Sequence, residues 1–429
     1  MKMISKVLLL LIIVFSTNNL LIAQEEKSDF RFSFIERFRL VTWDNAITLS
    51  DAAKAGNTFN RTRTSLMGEW LPNKNFEVAL KFTNEFRYYF VPGDKVFDWN
   101  EIFFDNFYVK YKDTFGSITL GRQNIMLGEG FVVMDGHPLD GSRSIYFNGA
   151  RADINISQTN KLTLFATYQP VKDDILPRIN DFEQALVEQP ETGIGGYLTT
   201  NFESLNLQSY YIFKKIDTEK PTQFESNIHT VGARVQVPLD KSLSLTGEAG
   251  YQFGDYGKFD RSAFGGYAHL DYTTNWEKIY TPKTLTLGAI YLSGDDPTTT
   301  ENEGWDPLFS RWPKWSESYI YTQIKEFGGR VAYWSNLASI YGSAKFVFSK
   351  EFNFCLDYHH LMAPQKPLAT AFPGGTGTSR GDLVIAKLNY VINEYVTGHI
   401  LWEYFNPGNF YFNGASDYNW ARIEFLFKI

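Results

Sequence analysis

The chain has 429 residues, with 41 lysines and arginines against 48 aspartates and glutamates, a length that in a soluble protein would divide into two or three domains. Its net acidity makes it a poor general polyanion binder, so no nucleic-acid partner is expected. The single cysteine, Cys355, excludes an intrachain disulfide framework and a cysteine-rich metal site.

Composition argues against the soluble class. Aromatic residues make up 17% of the chain, yet the mean hydropathy is only −0.26, so a mildly polar sequence is very rich in large rings. A transmembrane barrel produces that combination, because outward apolar residues alternate with inward polar ones and aromatic girdles ring both interfaces. The competing fold is an exported all-β sandwich, which alternates in the same way.

In chain order, residues 1–23 read as a secretory signal peptide, with Lys2 and Lys6 ahead of an unbroken apolar run at 7–15, and Leu21, Ile22 and Ala23 before Gln24. The run is too short to span a bilayer as a helix. No cysteine stands directly after Ala23, so no lipoprotein anchor is expected. Without Lys2 and Lys6, 39 basic residues face 48 acids, a formal charge of −9. Where the arginines sit therefore matters more than the total.

From Phe30 onward one unit recurs: about ten residues of period-two alternation, then a polar or glycine-rich break. Phe76, Val78, Leu80 and Phe82 alternate with Glu77, Ala79, Lys81, Thr83 and Glu85, as a strand separating lipid from water requires. In 60–70 the alternation sets Arg61, Arg63, Ser65, Met67 and Glu69 against Thr62, Thr64, Leu66, Gly68 and Trp70. The arginine face must be lumenal, because an arginine in hydrocarbon costs ~2–4 kcal/mol at midplane.

Such segments start near residues 30, 58, 76, 101, 117, 145, 161, 193, 205, 227, 242, 263, 283, 337, 351, 382, 394 and 417. The expectation is an all-β, antiparallel transmembrane barrel of about eighteen strands forming one domain over 24–429, wide enough for an aqueous lumen. Breaks at 113–116, 158–161 and 201–204 are short, whereas 42–57, 171–192, 293–316 and 363–381 are long. Short turns belong to the periplasm and long loops to the exterior.

The densest unusual stretch, 106–153, contains Leu120-Gly121-Arg122-Gln123, Gly128-Glu129-Gly130, Asp140-Gly141-Ser142-Arg143, and Arg151 on the next strand. Later come Ser293-Gly294-Asp295-Asp296, Trp305-Asp306-Pro307-Leu308-Phe309, Tyr404-Phe405-Asn406-Pro407-Gly408 and a terminal Phe427-Lys428-Ile429. In order and spacing these pieces resemble the alginate export family of outer-membrane barrels. The resemblance implies an 18-stranded, electropositive porin in the bacterial outer membrane, through which a polyuronate is secreted. It also implies that Arg122, Arg143 and Arg151 line the pore, with Arg61 and Arg63 opposite them, and that a polysaccharide exporter of this kind works with periplasmic secretion partners.

The residues support part of that picture independently. Guanidinium stays charged and binds carboxylates through a planar fork, so several around a constriction favour anionic solutes without catalysis. For any one arginine the competing role is bracing against a facing acid such as Glu69, Glu77, Glu85, Glu129 or Asp153. His359 and His360 are adjacent and point to opposite faces of a strand. The other histidines lie on separate segments, so no metal site, cofactor or enzymatic activity is expected. Trp305, Trp312 and Trp315 crowd one long loop. Packing of an infolded loop is the favoured role for these rings, ahead of stacking on sugar. The alternatives to a porin are an adhesin or structural barrel with a blocked lumen, and a barrel enzyme acting on lipid or polysaccharide.

Overall fold

The computed structural model describes residues 29–46, 48–54, 56–94, 101–135, 146–181, 183, 185–219, 224–310, 314–318, 335–367 and 374–429. The expected leader at 1–23, the segment 140–143 with Arg143, and Trp312 lie outside these residues.

Period-two alternation folds into eighteen antiparallel strands. They are β1 (Asp29–Trp43), β2 (Asn57–Asn73), β3 (Phe76–Val91), β4 (Ile102–Asp113), β5 (Gly116–Gln123), β6 (Phe147–Asn155), β7 (Asn160–Gln169), β8 (Glu191–Asn201) and β9 (Asn206–Ile216). The second half comprises β10 (Ser226–Pro238), β11 (Leu243–Tyr256), β12 (Phe259–Thr273), β13 (Thr284–Leu292), β14 (Leu337–Val347), β15 (Phe352–Met362), β16 (Ser379–Val391), β17 (Val396–Pro407) and β18 (Tyr418–Lys428). Each pairs with its sequence neighbour, and β18 closes on β1 from Ile35↔Lys428 to Trp43↔Trp420. Closure removes every edge strand, so no backbone group of the sheet is left to face an apolar solvent.

The outer face is the apolar one. Leu66, Leu120, Ile194, Leu287 and Ile340 are each more than half exposed. Near the short-turn rim, Phe30 stacks on Trp70 at 6.0 Å and Phe76 meets Tyr111 at 5.0 Å, part of the girdle the composition foretold. The rims differ as the break lengths predict: β4 and β5 are joined by two residues, whereas β13 and β14 are separated by the long 293–336 segment.

The packed core lies inside the barrel. A small hairpin, Ile125–Met126 against Met134–Asp135, and the segment around 305–310 fold into the lumen. Val133 bridges Phe309, the Phe309 amide donates to the Val132 carbonyl at 3.1 Å, and the Met134 amide donates to the Phe309 carbonyl at 3.1 Å. Their side chains pack with inward residues such as Phe165, Tyr197, Ile212, Ile228 and Tyr267. Trp305, 2% exposed, stacks on Phe131 at 5.3 Å and lies over Gly265, where a Cβ would come within 2.5 Å of its ring. Here the ring packs the infolded segment.

Candidate functional site

The strongest electrostatic feature comes from the register of three neighbouring strands. Arg39 on β1 lies directly opposite Arg61 on β2, and Arg61 directly opposite Arg87 on β3. One step along, Arg37 opposes Arg63, which opposes Glu85. Barrel closure adds Arg422 of β18, opposite Val41, and Glu424, opposite Arg39. All project inward, since Phe38, Leu66 and Phe425 between them are exposed on the outside.

Like charges directly opposite across a ladder destabilise it, so this wall needs compensation. Arg39 pairs with Glu424 and Arg63 with Glu85. Arg422 Nη1 donates to Glu317 Oε1 at 2.8 Å, and the buried ring of Phe59 lies between the guanidiniums of Arg61 and Arg87, at 5.5 and 5.2 Å. Among the described residues, Glu424, Glu85 and Glu317 pair with three of the six guanidiniums, those of Arg39, Arg63 and Arg422.

The infolded segments are fastened by ion pairs. Lys214, fully buried, reaches Asp306 Oδ1 at 3.2 Å and Glu191 at 3.4 Å, and donates to the Leu308 carbonyl at 3.0 Å. Glu129, in the hairpin, accepts from Arg234 Nη2 at 2.8 Å and lies 3.3 Å from Lys314 Nζ and 3.5 Å from His269 Nε2. Burial alone would raise the Glu129 carboxyl, but the His269 hydrogen bond and the charges of Lys314 and Arg234 outweigh it and hold the group well below the ordinary carboxylate range. Segment 314–318 therefore runs from the β10–β12 side, where Lys314 meets Glu129, to the β17–β18 side, where Glu317 meets Arg422 and Ser316 and Ser318 donate to Glu403. It crosses the lumen.

The sequence-expected arginines separate into different roles. Arg61 and Arg63 stand in the wall just described. Arg151 is lumenal on β6, but its Nε sits 2.9 Å from Asp153, which Lys161 also approaches at 3.3 Å. Arg122 is a correction: its register partner is Phe107, exposed on the outer face, and it shares that side with Leu120 rather than with buried Thr119 and Gln123. Because side chains alternate, one residue decides the face. Its guanidinium is clamped near the loop rim by Asp173 at 2.6 Å and Asn148 at 2.8 Å, over the Tyr146 ring at 3.8 Å. That is a buried brace.

Sequence reasoning missed Arg37, Arg39, Arg87 and Arg422. Arg37 and Arg39 flank Phe38 as Arg61 and Arg63 flank Thr62, a signal that could have found them. Arg422 joins the wall only through barrel closure.

A family model described as Alginate export matches residues 27–422. No curated protein sequence matches. Among solved structures, the fold is similar to Acinetobacter baumannii OccAB1, with a TM-score of 0.61, 13% identity and coverage of 94% of this chain and 96% of that one. It is similar also to Pseudomonas aeruginosa OprD (TM-score 0.57, 11% identity, 94% and 95% coverage) and to Pseudomonas aeruginosa OccK2 (OpdF) in complex with glucuronate (0.57, 13%, 94% and 98%). At such identities the likeness concerns the fold.

Proposed function

The chain belongs to the alginate export family of bacterial outer-membrane proteins, as a closed 18-stranded porin-type barrel, and from that premise we propose that it is a passive, non-catalytic channel preferring anionic solutes, with uronates and polyuronate chains as the substrate class. The observation that carries this reading is the arginine wall. Arg39, Arg61 and Arg87 in one unbroken cross-strand row cost sheet stability, and a local rule broken in this way marks a functional demand. A fixed cluster of guanidiniums lowers the barrier for carboxylates, and several adjacent sites let a polyanion be handed on without being trapped. OccK2, one of the similar folds, was crystallised with glucuronate, a carboxylate of the class that such a wall suits.

The test is single-channel conductance with reversal potential in a salt gradient, on refolded protein, comparing the parent with Arg61→Gln plus Arg87→Gln. Anion preference that falls in the double variant, together with weaker block by glucuronate, is the expected result. Selectivity unchanged by the substitutions would sink the proposal. A channel that never opens would favour the blocked-lumen adhesin, since the infolded segments already occupy part of the interior.

A further inference from the structure

A second lumenal feature lies away from the arginine wall and is built from a row of four register partners. Asp271 on β12 faces Thr286 on β13, Thr286 faces Ser343 on β14, and Ser343 faces Asp357 on β15. Two carboxylates bracket two hydroxyls across four adjacent strands. One step along the strands the corresponding row is His269, Gly288, Tyr341 and His359, in which the Tyr341 ring occupies the space over Gly288 and stacks on His359 at 4.8 Å. Trp315, half-buried on the crossing segment, also lines the recess. This open recess holds about 290 Å³, at the lower end of the range for small-ligand sites.

The geometry narrows the ligand. With strands about 4.8 Å apart, Asp271 and Asp357 stand roughly 14 Å from each other, too far to share a metal ion. Asp271 already accepts from Thr286 Oγ1 at 2.6 Å and lies 2.8 Å from His269 Nδ1, while Glu129 at the recess edge is occupied by Arg234 and Lys314. Among the described residues the recess therefore holds no unpaired lysine or arginine, offers hydrogen-bond acceptors and hydroxyls in a line, and has ring faces beside them. An inorganic anion finds no surplus positive charge there. A pyranose ring fits on every count: its hydroxyls donate to carboxylates, and its C–H face packs on an aromatic ring.

We propose that this recess is a saccharide subsite that binds the polyol ring of a sugar, independently of any carboxylate the sugar carries. The inference deepens the proposed anion pathway, in that one wall would take the charge of a uronate and the other its ring. It does not need the arginine wall to bind a neutral sugar.

The test uses mannotriose, a neutral trisaccharide, as a blocker of single-channel current. Parent protein is compared with Asp271→Asn plus Asp357→Asn, with Trp315→Ala, and with Arg61→Gln plus Arg87→Gln, each first shown to keep the heat-resistant compact gel mobility of a folded barrel. Mannotriose should interrupt the parent current in a concentration-dependent way. The half-blocking concentration should rise at least tenfold in the aspartate pair and in Trp315→Ala. Should the aspartate pair fail to fold, Trp315→Ala, which alters no strand, carries the test alone. No block in the parent, equal block in these variants, or block lost instead in the arginine pair would each overturn the proposal. Failure of the anion pathway registers separately, in the reversal potential of the arginine pair.

Discussion

Glu317 Oε1 accepts from Arg422 Nη1 at 2.8 Å, joining the segment that crosses the lumen to the wall that carries the positive charge. Burial would raise this loop carboxyl, but Arg422 and Arg39 outweigh it and hold it below the ordinary range. A depressed folded value means that the pair's contribution is complete above the unfolded value, about 4.3 for Glu, and is lost as pH falls below that through the folded one. Conductance should therefore stay constant from pH 7 to about 5, and enlarge or flicker only below about 4 as the segment loosens. A transition centred near pH 6 would assign the control to a histidine instead.

The seat of Trp305 offers a direct test of constriction. Gly265→Val would drive a side chain into a ring that lies 2.5 Å from the position of its Cβ, an overpacking worth about 1–3 kcal/mol. The strands can keep their register while the 305–310 segment lifts. Single-channel recording should show a larger unit conductance with the folded gel mobility retained, and an unaltered conductance would separate this segment from the constriction.

Cys355 is the chain's only cysteine, and its register places it between two lysines, opposite Lys345 on β14 and Lys387 on β16. It alternates with Leu356, which is exposed on the outer face. A lumenal thiol in that row should react faster with an anionic methanethiosulfonate than with a cationic one, and the adduct should reduce the current. Equal rates for the two reagents, read by mass shift and by current, would remove the two lysines from the solute's route.

The Arg122–Asp173 pair predicts the opposite pattern. Both side chains are about 1% exposed and 2.6 Å apart, so Asp173→Ala leaves a buried guanidinium without its counter-charge, a loss of about 3–5 kcal/mol. Thermal unfolding should move to lower temperature while ion selectivity stays as in the parent. A selectivity change at constant stability would restore Arg122 to the pore.

Much of this barrel is written along the chain. The 76–85 alternation predicts β3 and its lumenal Ala79, Thr83 and Glu85, all buried in the structure, because a period of two in the sequence is a period of two in space. At Arg122, two residues from Leu120, the motif resemblance suggested the pore while the alternation assigned the other face. β12 starts at Phe259, earlier than the expected 263, since a two-residue turn at Gly257 links it to β11 on the loop rim.

What the sequence determined by itself is the class of object: about eighteen amphipathic strands, mostly short turns at one rim and mostly long loops at the other, a ring-rich outer surface and the arginines at 61 and 63 kept off it. Those follow from local alternation and from the cost of charge in hydrocarbon, both readable one strand at a time. Which inward residues meet was decided only by tertiary structure. The row Arg39–Arg61–Arg87 and the row Asp271–Thr286–Ser343–Asp357 exist because of inter-strand register, Arg422 joins the first because β18 closes on β1, and the crossing of the lumen by 314–318 depends on ion pairs with Glu129 of the infolded hairpin and with β18. Register and closure are properties of pairs of strands far apart in the chain, and no single segment carries them.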